Sequence, residues 1–577
     1  MARLARLVLV ATAAALNHAS AQSPPMAVFG PHLDSASSAG ASLGAVTSEA
    51  TECTQIGRDL LARGGNAVDA LVGTTFCVGV VAMYHSGIGG GGFALVRDID
   101  GTYEAVDFRE TAPAAAYEEM YYGNIDGSLV GGLAVAVPGE VRGLEYIHNK
   151  YGLLPWKEVL QGAIYVARDG FQVSSDLVRY LQRSFGIVRD SFIVRDANFA
   201  QDFAPNGILL GQGDIMTRKR YANTLELIAN HGADAFYNGP LADAMIKTIQ
   251  ASNGTMTLQD LANYSIISRP ARRIRFRDVD LFTVGAPASG AVSLSILKTL
   301  EQYSHDGSDT RDANLTLHRF TEAMRFGYAA RTDLADPDFV DDARQAEERM
   351  LQDGHARRVR SLINDDHTLP VEDYGTDREF TSNSHGTSHI VAADRSGMAV
   401  SLTTTINLVM GARLMEPASG IMLNNEMNDF SIPGVPNAFG FQPSPLNYIR
   451  PGKRPLSSIT PVILARSNGA LLGVIGAAGG SRILSSTTLA IWRLIDGAMS
   501  MSQALSAPRL HDQLMPNTVL LERDFDASAA AALAERGHNV SWTTQSLSSL
   551  QGIGCLPDGT FEAVGEPRQR NSKGLTL

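Results

Sequence analysis

The stretch Gly386-Thr-Ser-His-Ile-Val-Ala-Ala-Asp-Arg-Ser-Gly-Met-Ala-Val-Ser-Leu-Thr-Thr-Thr-Ile-Asn407 decides the fold. Residues 387–393 alternate as a strand, Asp394-Arg395-Ser396-Gly397 has turn composition, and 398–406 is β-rich again. A hairpin closed by Asp394 and Gly397 sets Thr387 opposite Thr404, and a one-residue bulge brings Thr405 across from it instead. The hairpin is unusually chemical. Thr403-Thr404-Thr405, and the later loop Asn424-Asn425-Glu426-Met427-Asn428-Asp429, carry more polar function than strand packing asks for, although threonine is at home in sheets.

Downstream, two more strands at 461–465 and 471–476 flank Ser467-Asn468-Gly469. Gly476-Ala-Ala-Gly479-Gly480 then leads into a helix through Ile483, Leu484, Leu489 and Ile491. Upstream, much of 45–260 alternates helical stretches with short loops. Ala67 to Val80 is one such stretch, Pro138-Gly139-Glu140 opens another, and 156–169 carries an apolar stripe. Residues 273–285 read as a strand region followed by a helix from Val292 to Tyr303, and the highly charged 340–380 reads as an exposed loop. Sheets covered by helical layers, an α+β arrangement, follow from this order.

The length of 577 residues would hold several domains at roughly 150 each. With 44% apolar and 19% charged residues the chain is an ordinary globular protein. A net charge of −12 argues against a nucleic-acid binder. Three cysteines exclude a disulfide-dense scaffold and form no C-x-x-C pair. Residues 1–21 read as a signal peptide: Arg3 and Arg6 precede the apolar run Leu7 to Leu16, and Ala19-Ser20-Ala21 gives the small-x-small cleavage pattern. Secretion is therefore expected, with an outward-facing membrane anchor as the rival, though the run is short for a bilayer span. Asn253, Asn263, Asn314 and Asn539 stand in N-x-[ST] sequons and are glycosylation candidates. Two helices folded back about Gly64-Gly65 would set Cys53 opposite Cys77, since both are equidistant from residue 65. An oxidising compartment favours a disulfide there over two buried thiols and leaves Cys555 free. The Ser/Ala/Gly-rich stretch at 34–44 reads as a flexible leader.

Several motif matches fail on context. Gly87, Gly89 and Gly92 spell G-x-G-x-x-G, but a helix precedes and a strand (Phe93 to Arg97) follows, the reverse of a dinucleotide site, so a close-packed turn is expected. Gly40 to Gly44 spells G-x-S-x-G without a preceding strand, and Ser295 to Lys298 spells S-x-x-K without its companions. His385 and His389 lack the intervening glutamate of a zinc helix, and no other metal spacing is seen.

Read together, the chain resembles the gamma-glutamyltransferases (gamma-glutamyl transpeptidases), which are N-terminal-nucleophile hydrolases. The resemblance rests on Gly64-Gly-Asn-Ala-Val-Asp69, His85-Ser-Gly-Ile-Gly-Gly-Gly91, Arg109-Glu-Thr-Ala-Pro113, Ala136-Val-Pro-Gly-Glu-Val-Arg-Gly143 and Gly386-Thr-Ser-His389. It continues through Thr405-Ile-Asn407, Asn424 to Phe430, Pro455-Leu-Ser-Ser458 and Gly476 to Gly480. It implies a four-layer αββα sandwich made from one precursor that cuts itself before Thr387, giving a large chain 22–386 and a small chain 387–577. Thr387 would then be both nucleophile and, through its freed amine, base, with Thr405 beside it. Gly479 and Gly480 would form the oxyanion hole. The resemblance assigns Arg109, Ser457 and Ser458 to the α-carboxylate of the γ-glutamyl group, and Glu426, Asp429 and Asn407 to its ammonium. It implies glutathione and other γ-glutamyl compounds as donors, water, amino acids or dipeptides as acceptors, and no metal or organic cofactor. Phe439 to Tyr448 looks like the eukaryotic version of the family's lid, without the bacterial tyrosine. Two other functions compete: an amidase of the same fold acting on a glutaryl-type group, which would not need Glu426 and Asp429, and a secreted non-catalytic binding protein, against which Thr387 and Gly479-Gly480 speak.

Overall fold

The computed structural model describes residues 43–186, 191–303, 313–376, 378–379, 386–435, 442–544 and 546–577. The signal-like segment, most of the leader, His385 and residues 439–441 of the lid stretch lie outside these.

Two antiparallel sheets face each other. The first has seven strands in the order Lys573–Thr576, Gly44–Ser48, Gly386–Asp394, Ala399–Asn407, Gly91–Arg97, Tyr103–Phe108 and Ile267–Pro270. The second has six, in the order Phe561–Val564, Ser549–Cys555, Leu471–Ala478, Val462–Arg466, Val279–Thr283 and Arg272–Phe276. Helices Thr51–Ala62 and Ala67–Val81 cover the first sheet, and Gly290–Glu301 and Arg482–Ile495 cover the second. The expected αββα sandwich is what the chain forms.

The hairpin strand Gly386–Asp394 shows why. It is buried along its whole length, and its alternating side chains serve two cores. Ile390 and Ala392 join Val68, Val72 and Phe76 under the first helical layer, whereas Val391 and Ala393 join Val462, Val474 and Ile475 of the second sheet. Thr387, His389, Val391 and Ala393 share a parity, so the nucleophile candidate faces the space between the sheets. His389 confirms this orientation: a Cβ on Gly476 of the second sheet would lie 2.3 Å from its ring.

The register bears out the expected pairing of Thr387 with Thr405 but corrects the route to it. Thr387 pairs directly with Thr405, and Ser388 with Thr404. The turn is longer by one residue than the Asp394–Gly397 closure supposed, because the Asp394 amide bonds the Met398 carbonyl at 3.0 Å while Gly397 takes φ +87°. This three-residue loop ends in a left-handed glycine that absorbs the extra residue. The bulge sits elsewhere, between Gly386 and Thr387, and puts Gly386 opposite Asn407. The turn is also tied to a helix start. Asp394 Oδ2 accepts the Ala67 amide at 2.7 Å, at the N-terminus where a carboxylate is favoured. That helix begins with a capping box in which Asn66 accepts the Val68 and Asp69 amides and Asp69 accepts the Asn66 amide.

Two other expectations change. The charged 340–380 region contains helices, Asp341–Met350 and Asp353–Leu362, most of whose charges face outward while Ala343, Ala346, Met350, Ala356 and Val359 are buried; Glu347 is buried with them, where it bonds Arg272 and the Ala286 amide. Gly44 already belongs to a strand, so the leader ends before it. Elsewhere the boundaries agree closely, the helix Trp156–Asp169 without any shift. Cys53 and Cys77 form a disulfide across the two folded-back helices, and Cys555 is free. Among the described residues no helix is long and apolar enough to cross a membrane.

Candidate active site

Thr387 is 4% exposed and lines a cavity of about 600 Å³ together with Gly479. Across the hairpin, the Thr405 hydroxyl donates to the Gly386 carbonyl and accepts the Asn407 amide at 2.7 Å. It was expected on the hydroxyl or amine of Thr387; in the continuous chain it holds instead the carbonyl of the residue before Thr387. The bulge is what brings that carbonyl under Thr405.

The Gly87–Gly92 run makes the close-packed turn that was expected. A Cβ on Gly90 would stand 2.0 Å from the Thr405 carbonyl, so only glycine lets this backbone lie against the hairpin. Behind the hairpin, the Ser388 hydroxyl donates to Glu49, which also faces His85 Nδ1 at 3.2 Å. Thr404 donates to Glu140, whose carboxyl is pushed up to about 7 by burial. Glu49, His85 and Glu140 are contributors to which sequence reading gave no role; His85 and Glu140 lay within the quoted motifs, but their distance along the chain from Thr387 hid what they meet.

Gly479 and Gly480 join the end of strand Leu471–Ala478 to the helix Arg482–Ile495. Both have positive φ, +134° and +64°, so the turn requires glycine. Among the described residues their amides donate no hydrogen bond outside the strand ladder, as an oxyanion hole needs.

Arg109 follows strand Tyr103–Phe108 and is 1% exposed. One guanidinium nitrogen bonds Glu426 and the other Asp429, while Nε reaches the Pro455 carbonyl at 3.4 Å. Residues 426–429 form a 3₁₀ turn, in which side chains three apart eclipse, and this aims both acids at one arginine. Asn424 fixes the loop by bonding the Gly89 and Ala136 carbonyls at 2.8 and 2.9 Å. A third acid, Glu110, lies 3.6 Å from Arg109. Burial opposes the Arg109 charge, but Glu426 and Asp429 outweigh it and hold the guanidinium protonated. Burial pushes Glu110 up to about 8 and Glu426 well above the usual carboxylate range. Arg331, at the end of helix Ala313–Arg331, is a further missed residue. It bonds Ser289 Oγ at 2.8 Å, and Ser289 in turn donates to the Ser457 carbonyl. Burial lowers Arg331 to about 10 although Asp429 opposes this.

Of the predicted binding residues, then, Arg109, Glu426 and Asp429 meet directly. Ser457 reaches them through Ser289 and Arg331, and Ser458 follows it, also buried. Asn407 sits at the Gly386 end of the hairpin and is tied to the same loop, its Nδ2 bonding the Asn425 carbonyl, next to Glu426, at 3.0 Å. His389 is a neutral core histidine: burial lowers it to about 3, and Nδ1 meets Thr403 Oγ1 at 2.8 Å. His318, Glu322 and His538 cluster elsewhere in the second helical layer, and their distant positions hid them from spacing rules. His318 Nδ1 and His538 Nε2 stand 2.8 Å apart, a hydrogen bond. Of the sequons, Asn253 and Asn263 are exposed and Asn314 half-buried. Asn539 is exposed, but its amide already bonds the Asn517 carbonyl at 2.9 Å.

Residues 53–575 match the family model described as Gamma-glutamyltranspeptidase. The chain belongs to the gamma-glutamyltranspeptidase family. It is 50% identical over 546 residues to a glutathione hydrolase proenzyme of Arthroderma benhamiae, covering 93% of both chains. A glutathione hydrolase of Aspergillus flavus is 43% identical over 534 residues, covering 92% of this chain and 89% of that one. Among solved structures, a cephalosporin acylase from Bacillus halodurans superposes with a TM-score of 0.79 at 24% identity, covering 95% of this chain and 99% of that one. That likeness speaks for the fold alone.

Proposed function

We propose that this chain is the precursor of a γ-glutamyl-transferring and hydrolysing enzyme, activated by its own cleavage between Gly386 and Thr387. The observation that carries the reading is the bulged hairpin, which puts the Gly386 carbonyl under the Thr405 hydroxyl and Thr387 at the cavity beside Gly479.

In self-cleavage, Thr387 Oγ adds to the Gly386 carbonyl, and Thr405 donates to the oxygen as it gains charge. Collapse breaks the C–N bond and leaves an ester on Thr387 Oγ. Water then hydrolyses that ester, giving a Gly386 carboxylate and a free Thr387 amine. The large chain 22–386 and the small chain 387–577 stay together because Gly44–Ser48 and Gly386–Asp394 are neighbours in one sheet. An α-amine has an ordinary pKa of roughly 7.7–8.0 and can take the proton from its own hydroxyl.

In turnover, Thr387 attacks the γ-carbonyl of glutathione or another γ-glutamyl amide. Gly479 and Gly480 receive the oxyanion, and the leaving amine takes the proton from the Thr387 amine. The glutamyl ester passes to water, giving glutamate, or to an amino acid or dipeptide, giving a new γ-glutamyl amide. The Arg109 cluster suits an amino-acid head group: three buried acids around Arg109 hold more negative than positive capacity, which an α-ammonium completes. Its α-carboxylate would take over part of the Arg109 fork, with Ser457 and Ser458 alongside. A glutaryl group has no ammonium for these acids, which disfavours the amidase reading. The disulfide and the signal-like segment support a secreted protein.

The test is the intact mass under denaturing conditions of wild type and Thr387→Ala, with release of p-nitroaniline from γ-glutamyl-p-nitroanilide. Two chains meeting at Gly386/Thr387 and release by the wild type, with neither in the variant, are expected. An uncut wild type that releases nothing would overturn the reading.

A further inference from the structure

The cavity on the Gly479 side of Thr387 differs in charge from the Arg109 side. Its lining includes Arg179, Arg183 and Arg482, with His85 at its wall, and no carboxylate is among the described lining residues. This is unusual in a chain of net charge −12. Arg482 is the first residue of helix Arg482–Ile495, where the helix dipole is itself positive and a cation is disfavoured. Among the described residues its guanidinium meets one backbone acceptor, the Leu547 carbonyl at 3.5 Å, and no carboxylate. Arg179 by contrast is paired with Asp176 at 2.8 Å and lies over the Tyr180 ring. His85 turns Nδ1 to Glu49, which leaves Nε2 buried and without a partner among the described residues.

A cation this placed, three residues beyond Gly479, is stabilised by an incoming anion. The γ-glutamyl arm belongs on the Arg109 side, so what enters here is the part of the substrate beyond the scissile amide. In glutathione that part is a dipeptide ending in a carboxylate. We propose that Arg482, with Arg183 and Arg179 beside it, binds the carboxylate of the leaving or accepting peptide, making this cavity a subsite for anionic amino acids and dipeptides. The proposal rests on Thr387 carrying the γ-glutamyl ester. Resolution of that ester by the bound acceptor forms one amide bond, breaks the ester bond and returns the acceptor's proton to Thr387. Burial and the neighbouring Arg183 both lower Arg482, and burial and Arg179 lower Arg183, which agrees with a site short of negative charge.

The experiment uses the self-processed protein with γ-glutamyl-p-nitroanilide as donor. Transfer to glycylglycine is compared with transfer to glycylglycinamide at equal concentrations of free amine. At least a tenfold preference for the carboxylate is expected in the wild type, falling below threefold in Arg482→Gln and partly recovered in Arg482→Lys. On the donor side, Arg482→Gln should lower kcat/KM for glutathione at least tenfold more than for γ-glutamyl-p-nitroanilide, whose leaving group is neutral. Equal transfer to both acceptors by the wild type would overturn the proposal, whatever the variants do. So would an equal loss with both donors, which would mark Arg482 as support for the glycine turn. Failure of the wild type to release p-nitroaniline would instead remove the γ-glutamyl reading, and this subsite with it.

Discussion

Replacing Thr405 by valine tests the self-cleavage geometry at one atom. The side chain keeps its shape and loses a hydroxyl that donates to the Gly386 carbonyl and accepts the Asn407 amide at 2.7 Å. The effect on rate is smaller than the ~10²–10³-fold seen when an oxyanion-hole donor is lost. Thr405 already bonds the carbonyl in the ground state, and only the strengthening of that bond in the transition state accelerates the step. A net bond to a neutral acceptor is worth about 0.5–1.5 kcal/mol and one to a charged acceptor about 1.5–3, so the difference is about 1–1.5 kcal/mol. That is roughly tenfold in rate. Stability should fall separately by about 1–3 kcal/mol, because the buried Asn407 amide loses its acceptor. The assay follows freshly made precursor by denaturing electrophoresis and mass, timing the appearance of the 387–577 chain, with urea unfolding alongside. Thr405→Ser, which keeps the hydroxyl, should cut nearly as fast as the wild type. The reasoning is refuted if Thr405→Val cuts within twofold of the wild type, or if Thr405→Ser is as slow as Thr405→Val.

Gly479→Ala puts a Cβ 3.1 Å from Ser548 Cα on a backbone of φ +134°, and should cost ~10²-fold or more in p-nitroaniline release by moving an oxyanion donor. Removing the disulfide with Cys53→Ala and Cys77→Ala together, which opens a loop of sequence separation 24, should cost about 3.5 kcal/mol in denaturant unfolding on the chain-entropy account. Glu140, raised to about 7, favours folding while protonated; its contribution is complete below the usual carboxylate pKa and lost as pH rises through 7. Glu140→Gln should therefore match the wild type at pH 4.5 and exceed it at pH 8 by up to about 3 kcal/mol, read as denaturant midpoints. L-Glutamate entering the Arg109 cluster should displace a proton from Glu110 or Glu426, because an ammonium favours their charged forms. Calorimetry at pH 7 in two buffers of different ionisation heat should show net proton release, and net uptake would refute the placement.

The fold was legible where apolar periodicity and turn chemistry agreed. The helices at 67–81 and 156–169 and the hairpin at Asp394–Gly397 could be read that way because each is decided by its own residues. The register of that hairpin could not, since a two- or a three-residue turn fits Asp394-Arg-Ser-Gly equally well until the Gly397 conformation is known. The 341–362 helices were missed because charge was read as solvent exposure, whereas a ten-residue helix needs only a narrow apolar stripe such as Ala343, Ala346 and Met350. At the site, residues within contiguous motifs, such as Glu426 and Asp429, were named in advance. Arg331, Glu49 and Arg482 were not, because their meaning comes from packing against distant segments rather than from neighbours in sequence, and Glu110, although inside a quoted motif, was given no role until its carboxyl was seen beside Arg109. Thr405 was named and placed across from Thr387 but given a different partner, because the bulge between Gly386 and Thr387 turns the Gly386 carbonyl to its hydroxyl.

The two sides of Thr387 are electrostatic opposites, and this has a consequence for how an extended substrate enters. On one side Glu110, Glu426 and Asp429 surround Arg109; on the other Arg179, Arg183 and Arg482 line a cavity with no carboxylate among its described lining residues, Asp176 pairing with Arg179 from outside that lining. A γ-glutamyl peptide carries its only ammonium at the glutamyl end and a carboxylate at the far end. Reversed, it would set that carboxylate among acids that only an ammonium can hold charged, and would set its ammonium against three arginines in a low-dielectric site, where like-charge contacts cost most. Only the orientation that offers the γ-carbonyl to Thr387 escapes this penalty. Orientation is thus selected by charge before any hydrogen bond to the reacting amide forms. Raising ionic strength should accordingly raise KM for glutathione more than for γ-glutamyl-p-nitroanilide, which lacks the far carboxylate, while leaving kcat nearly unchanged. Equal salt sensitivity for the two donors would place the selection elsewhere.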